Sequence, residues 1–163
     1  MAVTNNIALE KIEVGDIAAD GDVSTTFAAL GRTFKDSASI TQDDNETHEF
    51  EVEEDDEPIA SVLVKKGSTT IKWELVDWDV TVLQKLWGGT VSGGVWSEPE
   101  ILPDVEQSVK LTPKMGSPFI YPRCKLTAKV EYEANRTGIA RIIVQAKKLK
   151  PTKDGVAAFM WGA

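Results

Sequence analysis

The chain has 163 residues and a mass of 17.8 kDa, with 42% apolar and 27% charged residues, which suits one globular domain. Its one cysteine, Cys124, excludes an intrachain disulfide framework, and no run of about 18 uncharged apolar residues exists to span a bilayer. A net charge of −8 argues against a protein that grips nucleic acid by its phosphates, because that takes a basic surface.

The first residues, MAVTNNIALEKIEVGD, show no basic stretch followed by an apolar one. We therefore expect a chain that is not exported and stays in a reducing compartment. Residues 8–14 read as a first strand, Asp20-Gly21 as a tight turn and residues 25–33 as another strand. Residues 47–53 alternate: His48, Phe50 and Val52 face one way, Thr47, Glu49, Glu51 and Glu53 the other. A wholly acidic face has no place in a core, so this strand must meet water or a basic partner at a sheet edge. It lies within residues 43–57, DDNETHEFEVEEDDE, where ten of fifteen residues are acids and none is basic.

Residues 58–65 and 70–77 are further strands, with Ile71, Trp73 and Leu75 on one face of the second. Lys66-Gly67-Ser68 is read as the hairpin turn between them. Asp79 then caps a helix over residues 80–87, in which Val80, Leu83, Leu86 and Trp87 form an apolar stripe. Gly88 supplies the left-handed residue that ends it. Two turns are too few to stand alone, so the helix must lie against a sheet. Gly93-Gly94 is the pair that a two-residue hairpin turn needs. Residues 125–133 alternate most clearly, with Leu126, Ala128, Val130 and Tyr132 on one face and Lys125, Thr127, Lys129, Glu131 and Glu133 on the other. After a turn at 135–138, residues 139–146 return as the antiparallel partner. The expected architecture is mainly β: one domain over residues 1–163, an antiparallel β-sandwich or partly open β-barrel with one short helix. An extended acidic loop or hairpin at about 39–58 projects from it.

Catalytic chemistry has little to work with. His48 is the one histidine, lies beside Phe50 on an apolar face and reads as a structural, partly buried residue. Alone it furnishes no histidine metal cluster, and any nucleophile–histidine pair would have to use it. Cys124 has no second cysteine to resolve it and reads as an inert, half-buried thiol. Asp77 and Asp79 flank Trp78, but a strand end accounts for the first and helix capping for the second. Residues 88–94, GGTVSGG, lack the Lys-Ser/Thr and the strand–loop–helix order of a phosphate loop. Residues 16–22 and 43–46 lack the ligand alternation of a calcium loop. Sequons at Asn45 and Asn135 read as chance in a chain that is not exported. We expect no enzyme, no catalytic or metal site and no cofactor. Trp73 and Trp87 belong to the core, which leaves Trp78, Trp96 and Trp161 for the surface. Trp78 and Trp96 grouped on one face would support the alternative function, a non-catalytic carbohydrate- or protein-binding β-sandwich module.

Charge is divided along the chain: 7 basic residues stand against 23 acidic ones in residues 1–109, and 11 against 3 in residues 110–163. Two patches of opposite sign on one molecule favour head-to-tail association, which propagates into a ring or a filament. The order of elements also carries a resemblance. An early strand, a hairpin ending in KDSASIT (35–41), the hyperacidic connection, two strands and a short helix closing on LWGG (86–89) come first. The final strands, KLTAKVEYEANRTGIARIIVQAKKLK (125–150), complete a chain that over most of its length resembles the major tail tube proteins of long-tailed bacteriophages and prophages.

The resemblance implies a structural subunit of the virion, made in the bacterial cytoplasm, with a β-sandwich or barrel and a flanking helix. It implies self-assembly into homo-oligomeric, hexameric rings stacked head-to-tail as a hollow phage tail tube. The implied partners are other copies and other tail proteins, with DNA as cargo that does not stick and no membrane. It further implies a loop or hairpin reaching toward the neighbouring ring, which here corresponds to residues 39–58. On that footing the acidic side of the subunit contact is assigned to Asp43, Asp44, Glu53, Glu54, Asp55 and Asp56. The basic side is assigned to Lys125, Lys129, Arg136, Arg141, Lys147 and Lys148.

Overall fold

The computed structural model describes residues 3–162. Its strands are β1 (Lys11–Gly15), β2 (Ser39–Gln42), β3 (Glu46–Phe50), β4 (Ala60–Lys65) and β5 (Thr69–Leu75), followed by helix α1 (Val80–Trp87). Then come β6 (Thr90–Ser92), β7 (Val95–Ser97), β8 (Val105–Thr112), β9 (Phe119–Glu131), β10 (Arg141–Lys148) and β11 (Met160–Trp161). The main sheet is antiparallel in the order β1-β8-β9-β10-β5-β2, with β11 paired to the start of β9. β3–β4 and β6–β7 are separate two-stranded ribbons. The fold is thus mainly β and sandwich-like, and the sheet does not close into a barrel.

Period-2 alternation decides which face of the sheet is core. Ile71, Trp73 and Leu75 of β5 stand in register with Ala146, Val144 and Ile142 of β10, and all six are buried. The pattern continues through Leu126 and Ala128 on β9, opposite Ala146 and Val144. On β9 the parity then changes. Between Gln107↔Cys124 and Val109↔Tyr121, β8 advances two residues while β9 advances three, so the extra residue lies on β9 at Pro122-Arg123. Proline has no N–H to contribute to a ladder, which makes a bulge the natural place for it. Its carbonyl accepts a hydrogen bond from the buried Ser108 hydroxyl at 2.7 Å. Beyond the bulge, Tyr121 and Phe119 take over the core face, and Phe159 stacks on both, with ring centroids 4.8 and 6.0 Å away.

The helix covers part of this core. Leu83, Leu86 and Trp87 are its buried residues, and the Asp79 carboxylate accepts from the Thr81 N–H. Gly88, at φ 71°, ends it as expected. Trp87 donates its ring N–H to the Ala128 carbonyl at 3.2 Å, anchoring the helix to β9. Gly93 and Gly94, at φ 57° and 77°, form the β6–β7 turn.

Several expectations need correction. Lys66-Gly67-Ser68 is not a hairpin turn, because β4 and β5 are not partners: β4 pairs with β3, while β5 lies between β2 and β10. Residues 25–33 form no strand, only single bridges at Ala28 with Val14 and at Thr33 with Leu75. The first strand starts at Lys11, three residues late, since Ala8 sits at a positive φ of 61°. The strand expected over 125–133 starts earlier, at Phe119, and stops at Glu131.

Candidate interaction surfaces

β2 and β5 run on, through a joint, into β3 and β4, so residues 39–75 make one long ribbon whose distal half leaves the body. At the joint Asp43 donates its N–H to the Ser68 carbonyl, the Ser68 hydroxyl donates to the Asp43 carboxylate, and Gly67 donates its N–H to the Asn45 side chain. A Cβ at position 67 would be driven into the Asp43 carbonyl, so the joint requires glycine there. Beyond it, β3 and β4 pair antiparallel, with a register shift between Glu46 and Thr47. Every residue of both strands is exposed.

This arm is two-sided. His48 and Phe50 (rings edge-on, centroids 4.7 Å apart) share a face with Val62 and Ala60, their cross-strand partners. Thr47, Glu49, Ser61 and Leu63 occupy the other face. His48 is therefore exposed and packs on a neighbour of its own strand, against the expectation of a partly buried histidine. Phe50, Ile59, Val62, Leu63 and Val64 are each half exposed or more. A two-stranded ribbon alone in water is marginal at best, and apolar side chains on both faces call for a cover.

The six acidic residues assigned to the contact divide between two places. Asp43 and Asp44 belong to the joint, whereas Glu53, Glu54, Asp55 and Asp56 lie exposed at the far tip, where Glu57 donates its N–H to Asp55. The acidic element is also longer than residues 39–58, since its return strand continues to Lys65.

The six basic residues do not form one patch. Lys125, Lys129 and Lys147 share the sheet face opposite the core, as the register shows, but Lys148 stands opposite the core-facing Cys124 and Arg136 lies in the β9–β10 loop. Arg141 is engaged within the chain: it bridges Glu74 at 3.0 Å and Glu131 at 3.3 Å and lies over the Phe34 ring. Lys125 pairs with Asp104 at 3.0 Å. Among the described residues Lys129, Arg136, Lys147 and Lys148 have no carboxylate partner. Lys147 and Lys125 are directly opposed across the ladder, an unfavourable like-charge pair that a bound anion would relieve.

The remaining candidates have structural partners. Arg32 clamps Asp77 with two side-chain nitrogens and its backbone N–H, and that hydrogen bonding holds the Asp77 carboxyl below its ordinary range. Asp79 is likewise lowered, by the Thr81 backbone and hydroxyl of the cap. Burial pushes the Cys124 thiol up to about 12, with Lys148 opposing the shift, and the residue is fully rather than half buried. Trp96 is half-buried against Trp87 and donates to the Gly88 carbonyl; Trp78 and Trp161, both exposed, donate to Ala140 and Asn6. Among the described residues no group of three or more His, Cys, Asp or Glu is placed to hold a metal ion. No helix there is long and apolar enough to cross a membrane. A scan against models of protein families finds no match to this chain, and a search of curated proteins finds no similar sequence.

Proposed function

We propose that the protein is a self-assembling structural subunit, and that its assembly is a ring-stacked tube of the kind built by phage tail tube proteins. The observation that carries this reading is the arm, a wholly exposed ribbon of β3 and β4 with His48, Phe50, Ala60 and Val62 on one face, Leu63 on the other and a tip dense in carboxylates. A second copy supplies what it needs, because residues 110–163 are as basic as the arm region is acidic. Arm and receiver are different surfaces, so the contact is heterologous and repeats from copy to copy. Lys129, Arg136, Lys147 and Lys148 keep free charge with which to draw in the acidic tip, and such complementarity sets encounter rate and partner choice. A tube wall with an excess of carboxylates offers DNA few counterion-releasing contacts, which suits passage over binding.

The test is assembly itself. Negative-stain images and sedimentation of the purified chain should show rings or tubes of uniform width that grow with concentration. Salt near 1 M, where the screening length shortens to about 3 Å, should slow association. A chain that stays monomeric at every concentration and salt would refute the reading.

A further inference from the structure

The path of the main sheet begins with β1 and ends with β2, and the two strands line opposite walls of one open groove of about 1020 Å³. Ile12 and Leu111 form one wall and Ala38 and Ile40 the other, with Leu9 and Phe34 nearby. Ile40 is paired with Ile71 of the core, and the groove is also lined by Ala29, Gly31, Arg32 and Thr33, from the segment that bridges Val14 of β1 at Ala28 and Leu75 of β5 at Thr33. Phe34 remains 37% exposed, and Leu9, Ala38 and Ile40 are only partly buried. On its rim, Lys35 and Lys114 are exposed and have no carboxylate partner among the described residues; Glu10 and Asp36 share the rim.

We infer that this groove is the seat into which the β3–β4 arm of a second copy inserts. The inference rests on the assembly reading above and names its receiving surface. Two surfaces compete for the arm, and chemistry separates them. The basic sheet face around Lys129 and Lys147 matches the arm in charge but offers it no apolar contact. Its one large aliphatic residue, Ile143, is already 2% exposed between Lys129 and Glu74. Phe50, Val62 and Leu63 would gain nothing there. The groove offers apolar walls between two edge strands, and Lys35 and Lys114 give it free positive charge to set against the acids of the arm. The outer edge of β1 is already bonded to Ala28 at Val14, so what the groove offers the arm is side-chain contact with Ile12, Leu111, Ala38 and Ile40. The lysines of the sheet face attract the arm from a distance, and the groove holds it.

The experiment is disulfide trapping between separately made copies. One copy carries Leu63→Cys on the arm; the other, bearing a mass tag, carries Ala38→Cys in the groove or Thr127→Cys on the basic sheet face. A disulfide forms only where Cα atoms come within about 7 Å, and the buried Cys124 stays out of the reaction. Oxidation of mixed copies should give the mixed dimer with Ala38→Cys and not with Thr127→Cys. Lys35→Glu with Lys114→Glu, both surface changes, should weaken association about tenfold or more at low salt while leaving the thermal midpoint of the dilute chain in place. Assembly with trapping at Thr127→Cys alone, or at neither site, would overturn the groove and leave the assembly reading standing. Absence of any assembly by the unmodified chain would sink both.

Discussion

Excision of the arm separates what it does for the monomer from what it does between copies. Residues 46–65 can be removed and Asn45 joined to Lys66 through Gly-Gly, since Glu46 and Lys65 are already cross-strand partners. No residue of β3 or β4 is buried, so at about 25 cal/mol per Å² of apolar surface withdrawn from water the body loses almost nothing. The connection between β2 and β5 shortens about threefold, which lowers its closure entropy cost by about 1 kcal/mol. The unfolding free energy of the dilute chain should therefore stay the same or rise by up to about 1 kcal/mol. Urea titration followed by tryptophan fluorescence measures this directly, because Trp73 and Trp87 lie in the core and no tryptophan lies in the arm. Sedimentation of the same variant should show that assembly is gone. A loss of about 2 kcal/mol or more would mean that the arm packs on its own body, and the argument for an intermolecular role would fall.

Three further outcomes follow from the core and its ion pairs. Ile142→Ala, at a site with 0% exposure in register with Leu75 and Val130, should cost about 2–5 kcal/mol, seen as a lower urea midpoint at unchanged slope. Cys124 should resist alkylation by iodoacetamide at pH 8 in the native chain and react once urea unfolds it; equal rates in both states would contradict its burial. Glu106 is held below its ordinary value of 4.5 chiefly by hydrogen bonds from Arg123, at 2.8 and 2.9 Å. Because the folded pKa is depressed, its contribution is present above pH 4.5 and is lost as pH falls through the lowered folded value. The urea midpoints of the unmodified chain and of Glu106→Gln should accordingly converge on acidification below pH 4.5, and parallel curves would refute the assignment.

Strict alternation made β9, β10 and β5 legible from sequence, and local chemistry did the same for α1, where Asp79 and Gly88 mark both ends. β8 was missed because the polar Gln107 interrupts the apolar row of Val105, Val109 and Leu111, and Ser108 is buried by its hydrogen bond to the Pro122 carbonyl, which no pattern in the strand announces. The arm was half legible. Its acidic face announced an edge, but the pairing of β4 with β3 rather than β5 is decided by the joint, where Ser68 reaches back to Asp43 across 25 residues of sequence. Composition marks residues 110–163 as basic yet could not say that Arg141 would be engaged by Glu74 and Glu131, a matter of cross-strand register. The groove between β1 and β2 had no signal at all, since its lining comes from stretches far apart in sequence, around Ile12, Phe34, Ile40 and Leu111.

The carboxylates that crowd the arm also govern what happens before any partner is met. A two-stranded ribbon with two open edges is a template for pairing with its own kind. Here the carboxylates sit on β3, at Glu46 and Glu49, and above all at the tip, residues 51–57, so two free arms that approach tip to tip repel each other, whereas the β4 edge, Ala60–Lys65, carries no acid. A seed whose exposed surface is positive and apolar faces no such barrier. If copies assemble as proposed, growth from an existing end would be faster than spontaneous initiation, and the purified chain should form its rings or tubes after a lag that shortens as concentration rises.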